Sequence, residues 1–144
     1  MNHTPHLAAV EQAMTRIRHR QSRQSRRALS TPTPATFDVL DAVEAAEHTQ
    51  SPPTVTTIAT ALSIDQPRAS KLVAKAVTAG LVERVADQTD GRRAFLKRTE
   101  AGRAASEEVH NSRRSAFDKA MSGWSDAEKE QFARLLVRFV DALP

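Results

Sequence analysis

TVTTIATALSIDQPRASKLVAKAVTAGLVERVADQTDGRRAFLKRTEAGR, residues 54–103, decides the fold. Thr54 is a helix N-cap residue, and Val55, Ile58, Ala59 and Leu62 recur at spacings of three and four, predicting a short helix of about two turns. Ser63-Ile64 makes a tight connection, after which Asp65 caps a second helix. Pro67 falls in that helix's first turn, where its missing N–H costs nothing, and Ala69, Leu72, Val73 and Ala76 form the inward stripe until Gly80 ends it. LVERVA and AFLKRT then read as two strands joined by a polar loop containing Asp-Gly. The loop exceeds a two-residue turn, so the hairpin projects. Asp90-Gly91-Arg92-Arg93 sets two guanidinium groups at its tip; Gly91 is expected to allow a tight bend, and Asp90 to orient Arg92 by an ion pair.

Outward from this stretch the chain is helical. Leu7, Val10, Met14 and Ile17 share one stripe of a first helix, beginning near Thr4 or Pro5 and expected to continue to about Leu29 before Pro32 and Pro34. Pro34 opens a second helix, through about Glu47, with Phe37, Leu40, Val43 and Ala46 as its apolar face. Thr99 and Glu100 start a long fifth helix with Ala105, Val109, Ala116, Ala120 and Met121 on its stripe, broken at Ser122-Gly123-Trp124. Ser125 and Glu128 form a capping box for a sixth, whose Phe132, Leu135, Leu136, Phe139, Val140 and Leu143 make a dense apolar face. Mainly α with a small β-hairpin wing, the chain divides into an N-terminal helix (1–30), a winged helix-turn-helix (34–99) and C-terminal helices (100–144).

With 144 residues, no Cys, four Gly and 40% hydrophobic residues, the chain is sized for one folded domain with accessory helices, and disulfides and thiolate chemistry are excluded. No apolar run is long enough to cross a membrane and the N-terminus lacks a signal-peptide pattern, which predicts a cytoplasmic protein. There is no G-x-S-x-G, no phosphate-binding glycine loop and no H-E-x-x-H, so no enzyme is predicted. Glu44 with His48, and His3 with His6, have metal-like spacing but lack a third ligand, so neither a metal nor a cofactor is expected. Trp124 reads as packing at a helix junction.

The net charge of +4 is unevenly spread. Residues 1–30 carry six Arg against one Glu, residues 31–64 four acids and no base, and residues 65–103 nine bases against five acids. The stretch Arg16 to Arg27 reads as solvated, or paired with Asp38, Asp41, Glu44 and Glu47. In the second basic block, the face opposite the inward stripe presents Gln66, Pro67, Ser70, Lys71 and Ala74, flanked by Arg68 and Lys75, with no acid after Asp65. A helix of this kind fits the major groove of a duplex; Gln, Lys and Ser can bond base edges or phosphates, and Arg92 and Arg93 suit a backbone or a narrow minor groove. The pattern therefore predicts contact with double-stranded DNA through Gln66, Pro67, Arg68, Ser70, Lys71, Lys75, Asp90, Arg92 and Arg93. Two other readings fit a basic winged helix: an architectural DNA binder with no effector and little sequence preference, and a protein-interaction module meeting an acidic partner.

TPATFDVLDAV on the second helix, the run from Leu72 to Val82 and the following DGRRAFLKRTEAGR give the chain a near full-length resemblance to the MarR family of bacterial transcriptional regulators. That resemblance implies a cytoplasmic, nucleoid-associated homodimer whose first and last two helices intertwine, the two winged helices straddling a pseudo-palindromic operator. Dimerisation would then use Leu7, Val10, Met14 and Ile17 with Phe132, Leu135, Leu136, Phe139 and Val140, an apolar surface that a 144-residue chain has little else to cover. The family's Asp-x-Arg wing pattern falls on Asp90 and Arg92. It further implies repression released by a small aromatic or anionic effector, with Phe37 and Leu40 lining the space and Arg16 or His19 as counter-groups. Pro67 and Arg68 depart from the small hydroxyl residues common in the family, and Arg98 from the Leu usual before Thr.

Overall fold

The computed structural model describes residues 4–27, 34–49 and 51–144, and the side chains of 4–21, 35–49 and 51–144. In order the elements are α1 (Pro5–Arg27), α2 (Pro34–Glu47), α3 (Val55–Leu62), α4 (Gln66–Thr78), β1 (Val82–Ala86), β2 (Ala94–Arg98), α5 (Glu100–Ala120) and α6 (Asp126–Ala142). The fold is mainly helical with one antiparallel two-stranded hairpin. α1 is helical through Arg27; Leu29, the expected end, lies outside the described residues, as does His3. Two compact units divide at Ser106/Glu107, inside α5.

In the first unit the core is Val39, Leu40, Val43, Ile58, Val73, Ala76, Leu81, Val82 and Leu96, joining α2, α3, α4 and the hairpin. Each large aliphatic side chain fully withdrawn from water contributes about 1.5–3 kcal/mol before entropy is counted. The α2 face is rotated slightly from the predicted one: Val39 is fully buried, whereas Phe37 only borders the core. α3 starts with a capping box between Thr54 and Thr57 and ends with Ser63 in the left-handed region at φ 53°, where the Ile64 N–H reaches back to the Ala59 carbonyl. This closure turns the chain sharply into α4. There the Asp65 carboxylate accepts the Arg68 N–H at 2.8 Å. Gly80, at φ 76°, closes α4 in a Schellman arrangement, with Gly80 N–H to Val77 O and Leu81 N–H to Ala76 O.

The hairpin pairs Val82 with Arg98, Arg84 with Leu96 and Ala86 with Ala94. On its outer edge the Leu96 N–H donates to the Pro53 carbonyl at 2.8 Å, so the Pro-Pro segment before α3 runs beside β2. Thr99 fastens the far end: its N–H donates to Leu81 O, its hydroxyl donates to Gly80 O at 2.6 Å and accepts the Gly102 N–H at 3.0 Å. Gly102 is buried against this corner, where an added Cβ would collide with the Leu81 carbonyl and press on Leu40. α5 therefore begins as part of the first unit.

Arg98 explains its own departure from the expected Leu. Its Nε and Nη2 donate to the two Glu47 oxygens at 2.8 and 2.7 Å, and Nη1 lies 3.6 Å from Glu44. This is a two-pronged charge-assisted pair, tying β2 to the end of α2. Arg98's hydrogen bond holds Glu47 below its ordinary value of 4.5, and the same bond raises Arg98. Glu44 and Glu47, two of the four acids expected to face the Arg-rich part of α1, thus both meet Arg98.

Within the second unit, α6 opens with the predicted Ser125–Glu128 capping box. Trp124 meets Phe132 edge to face, ring centroids 5.4 Å apart, at the turn after α5. Phe132, Leu135, Leu136, Val137, Val140 and Leu143 each remain more than two-fifths exposed, and no α6 residue is buried.

Candidate nucleic-acid interface

Every outward residue predicted on α4 is exposed: Gln66, Pro67, Arg68, Ser70, Lys71, Ala74 and Lys75. The opposite face holds Ala69, Val73 and Ala76 fully buried, fixing the helix's rotation. Asp65, the nearest acid, uses its carboxylate as the helix cap. No described carboxylate pairs with Arg68, Lys71 or Lys75, so their charge is available to an outside anion.

The hairpin loop is built by its acids. Asp87 N–H donates to Arg93 O, closing the loop, while the Asp87 carboxylate accepts the Thr89 N–H at 2.9 Å and hydroxyl at 2.7 Å. Those bonds hold the Asp87 carboxyl below its ordinary value. Asp90 accepts the Arg92 N–H on its carboxylate and the Arg93 N–H on its carbonyl, at 3.1 and 3.0 Å. The expected Asp90–Arg92 ion pair is replaced by this backbone contact, because a carboxylate two residues upstream reaches an amide more directly than a guanidinium. Gly91 also differs from expectation: its φ is not in the left-handed region and an added Cβ would meet nothing. The bend comes from Asp90, and the exposed Arg92 and Arg93 side chains point their charge outward from a stapled loop.

Two features beside this surface were not singled out in the sequence. Thr54, Thr56, Thr57 and Thr60 of the α3 region line one open concavity with Arg93, bringing hydroxyls beside a loop guanidinium. Arg84 is exposed on the hairpin face it shares with Val82 and Leu96. Strand alternation puts Arg84 on the face of buried Val82, so its exposure, like the threonine cluster, needed the fold.

Residues 30–93 match the family model described as MarR family. The fold likeness reaches further. A MarR family protein from Bacillus stearothermophilus superposes with a TM-score of 0.81 at 22% identity, over 98% of this chain and 97% of that one. The chain thus matches the MarR family over residues 30–93 and is similar in fold to a MarR family protein over nearly its whole length. A MepR variant from S. aureus bound to an oligodeoxyribonucleotide matches this chain at TM-score 0.63 and 23% identity, over 94% of this chain and 98% of that one. Bordetella bronchiseptica BpsR, described with regulation of its DNA binding by 6-hydroxynicotinic acid, matches at TM-score 0.63 and 24%, over 93% and 94%. No curated protein sequence matches.

Of the residues this chain was expected to offer an effector, Leu40 is fully buried in the core and Phe37 half-buried against it. Arg16 and His19 are exposed on α1. The concavity beside Arg16 is lined by Ala13, Arg16, Ile17 and Arg20 and takes in neither Phe37 nor Leu40. On the stripe expected at a subunit interface, Leu7, Val10 and Ile17 are exposed and Met14 half-buried; on α6, Phe139 is half-buried. Among the described residues no three His, Cys, Asp or Glu gather as a metal site, and no helix is long and apolar enough to cross a membrane.

Proposed function

We propose that this protein is a homodimeric, sequence-specific duplex-DNA-binding transcriptional regulator, a repressor released by a small aromatic or anionic effector. The observation that carries the reading is the acid-free, exposed α4 face from Gln66 to Lys75 beside a hairpin loop with Arg92 and Arg93 outward. α4 enters the major groove; Gln66, Ser70 and Lys71 meet base edges, Arg68 and Lys75 the phosphates, and the hairpin loop the flanking minor groove or backbone. The relatives MepR, bound to an oligodeoxyribonucleotide, and BpsR, whose DNA binding responds to 6-hydroxynicotinic acid, support the DNA and effector parts. The bare apolar face of α6 supports the dimer, which sets half-sites roughly 34 Å apart. Arg16, His19 and Phe37 stay as effector contacts; Leu40 contributes to the wall only from within the core.

Selection of bound sequences from a random duplex pool, followed by a salt titration on the winner, tests the reading. An enriched inverted repeat with steep salt dependence is expected. Binding without enrichment would replace the regulator by an architectural protein, and failure to bind at low salt would remove DNA as the partner.

A further inference from the structure

Opposite the buried Ala69, Val73 and Ala76, the line of α4 turned furthest from the core runs through Pro67, Lys71 and Ala74, all exposed. Residues one heptad apart differ by only about 20° in direction, so Pro67 and Ala74 lie almost one above the other, with Lys71 between them. Single exposed apolar residues mean nothing by themselves. Here, however, they hold the outermost line, while the cations Arg68 and Lys75 stand at its flanks. The start of the helix is apolar in its backbone as well. Pro67 has no N–H, and the Arg68 N–H is engaged by the Asp65 carboxylate at 2.8 Å, so two amides that a helix start offers to a phosphate are withdrawn. This end of α4 suits base edges better than the sugar-phosphate backbone.

In the major groove the base pairs present donors and acceptors, and the one apolar substituent among them is the C5 methyl of thymine. A proline ring or an alanine methyl pressed on an amino group or a ring nitrogen removes its water and returns no hydrogen bond. Against the thymine methyl the same side chain buries apolar surface on both partners. We propose that Pro67 and Ala74 are specificity-determining residues, each packing on a thymine methyl of the half-site. Their separation of about 10 Å along the helix sets the two thymines roughly two to three base pairs apart, flanking the pair met by Lys71. The inference rests on the duplex-DNA reading above and adds what a half-site must contain.

The probe is the duplex enriched from the random pool, remade with deoxyuridine in place of one thymine at a time, which deletes the methyl and keeps every hydrogen-bonding group. Anisotropy titrations of the full chain at fixed salt should find two thymines in a half-site whose methyl loss raises the dissociation constant about fourfold each, the burial of one methyl. The remaining thymines should be indifferent. Pro67→Ser and Ala74→Ser should each abolish the uridine penalty at one of the two positions and leave it at the other, with the melting temperature within a few degrees of wild type. Such coupling between one side chain and one methyl separates contact from any change that uridine makes in the duplex itself. Uridine duplexes that all bind as tightly as the parent, enriched half-sites without thymine, or penalties that survive both substitutions would each overturn the proposal and leave the DNA reading in place. Failure to bind the pool at low salt would remove that reading and this inference with it.

Discussion

At the residue scale, Gly102 in α5 and Gly91 in the hairpin loop have opposite tolerances. Gly102 sits under the Leu81 carbonyl, and any side chain there must push the start of α5 from β1. Gly91 stands in open space with an ordinary φ. Gly102→Ala should therefore cost roughly 1–3 kcal/mol in urea unfolding, as overpacked sites do, while Gly91→Ala stays within about 0.5 kcal/mol of wild type. A neutral Gly102→Ala would show that the corner yields. Arg92 differs because its stake is outside the fold: its backbone is held by Asp90, so truncating the side chain leaves the loop intact. Arg92→Ala should weaken operator binding and flatten the plot of log affinity against log salt by about one unit per subunit, the loss of one phosphate contact. An unchanged slope in anisotropy titrations would move Arg92 out of the interface.

At the element scale, the hairpin is anchored at its base by Arg98 to α2 and at its edge by Pro53. Because Glu47 is held below its ordinary 4.5 in the folded chain, the unfolded chain binds the proton more readily, and the pair's stabilisation is present above about pH 4.5 and lost as pH falls through the lowered value. Glu47→Gln should accordingly cost about 1 kcal/mol at pH 7, a figure already reduced for partial exposure. The gap from wild type should narrow progressively as the pH falls below 4.5, at fixed protein concentration. A gap that does not change with pH below 4.5 would place the effect in packing instead of charge. This anchor marks where sequence reading stopped. Periodicity and caps placed α2, α3, α4 and both strands nearly to the residue, because Thr54, Asp65, Gly80 and Ser125 act on bonds three to five residues away. The Arg98–Glu47 pair spans 51 positions and the Pro53–Leu96 bond 43, distances at which no local pattern points to a partner. The same limit hid the threonine cluster beside Arg93.

For the whole molecule, the outstanding quantity is the apolar surface of α6. Soluble monomers rarely keep a contiguous stripe such as Leu135, Leu136, Val137, Val140 and Leu143 in water, and a second copy offering the same stripe covers it by two-fold symmetry without any new chemistry. The dimer matters to the proposed function through geometry: one α4 surface engages a half-site weakly, and a tethered second turns the next encounter into an intramolecular one worth a factor of roughly a hundred or more. Leu136→Asp combined with Val140→Asp places two carboxylates in the stripe while leaving the α6 capping box and every α4 residue untouched. Light scattering should then report the mass of one chain where the wild type gives two, with far-ultraviolet dichroism unchanged. Affinity for a full inverted repeat should drop to that for a single half-site, while the wild type prefers the full repeat by at least tenfold. A variant that stays dimeric would put the interface elsewhere. A monomer that still prefers the full repeat would mean that pairing on DNA arises from contacts beyond α6.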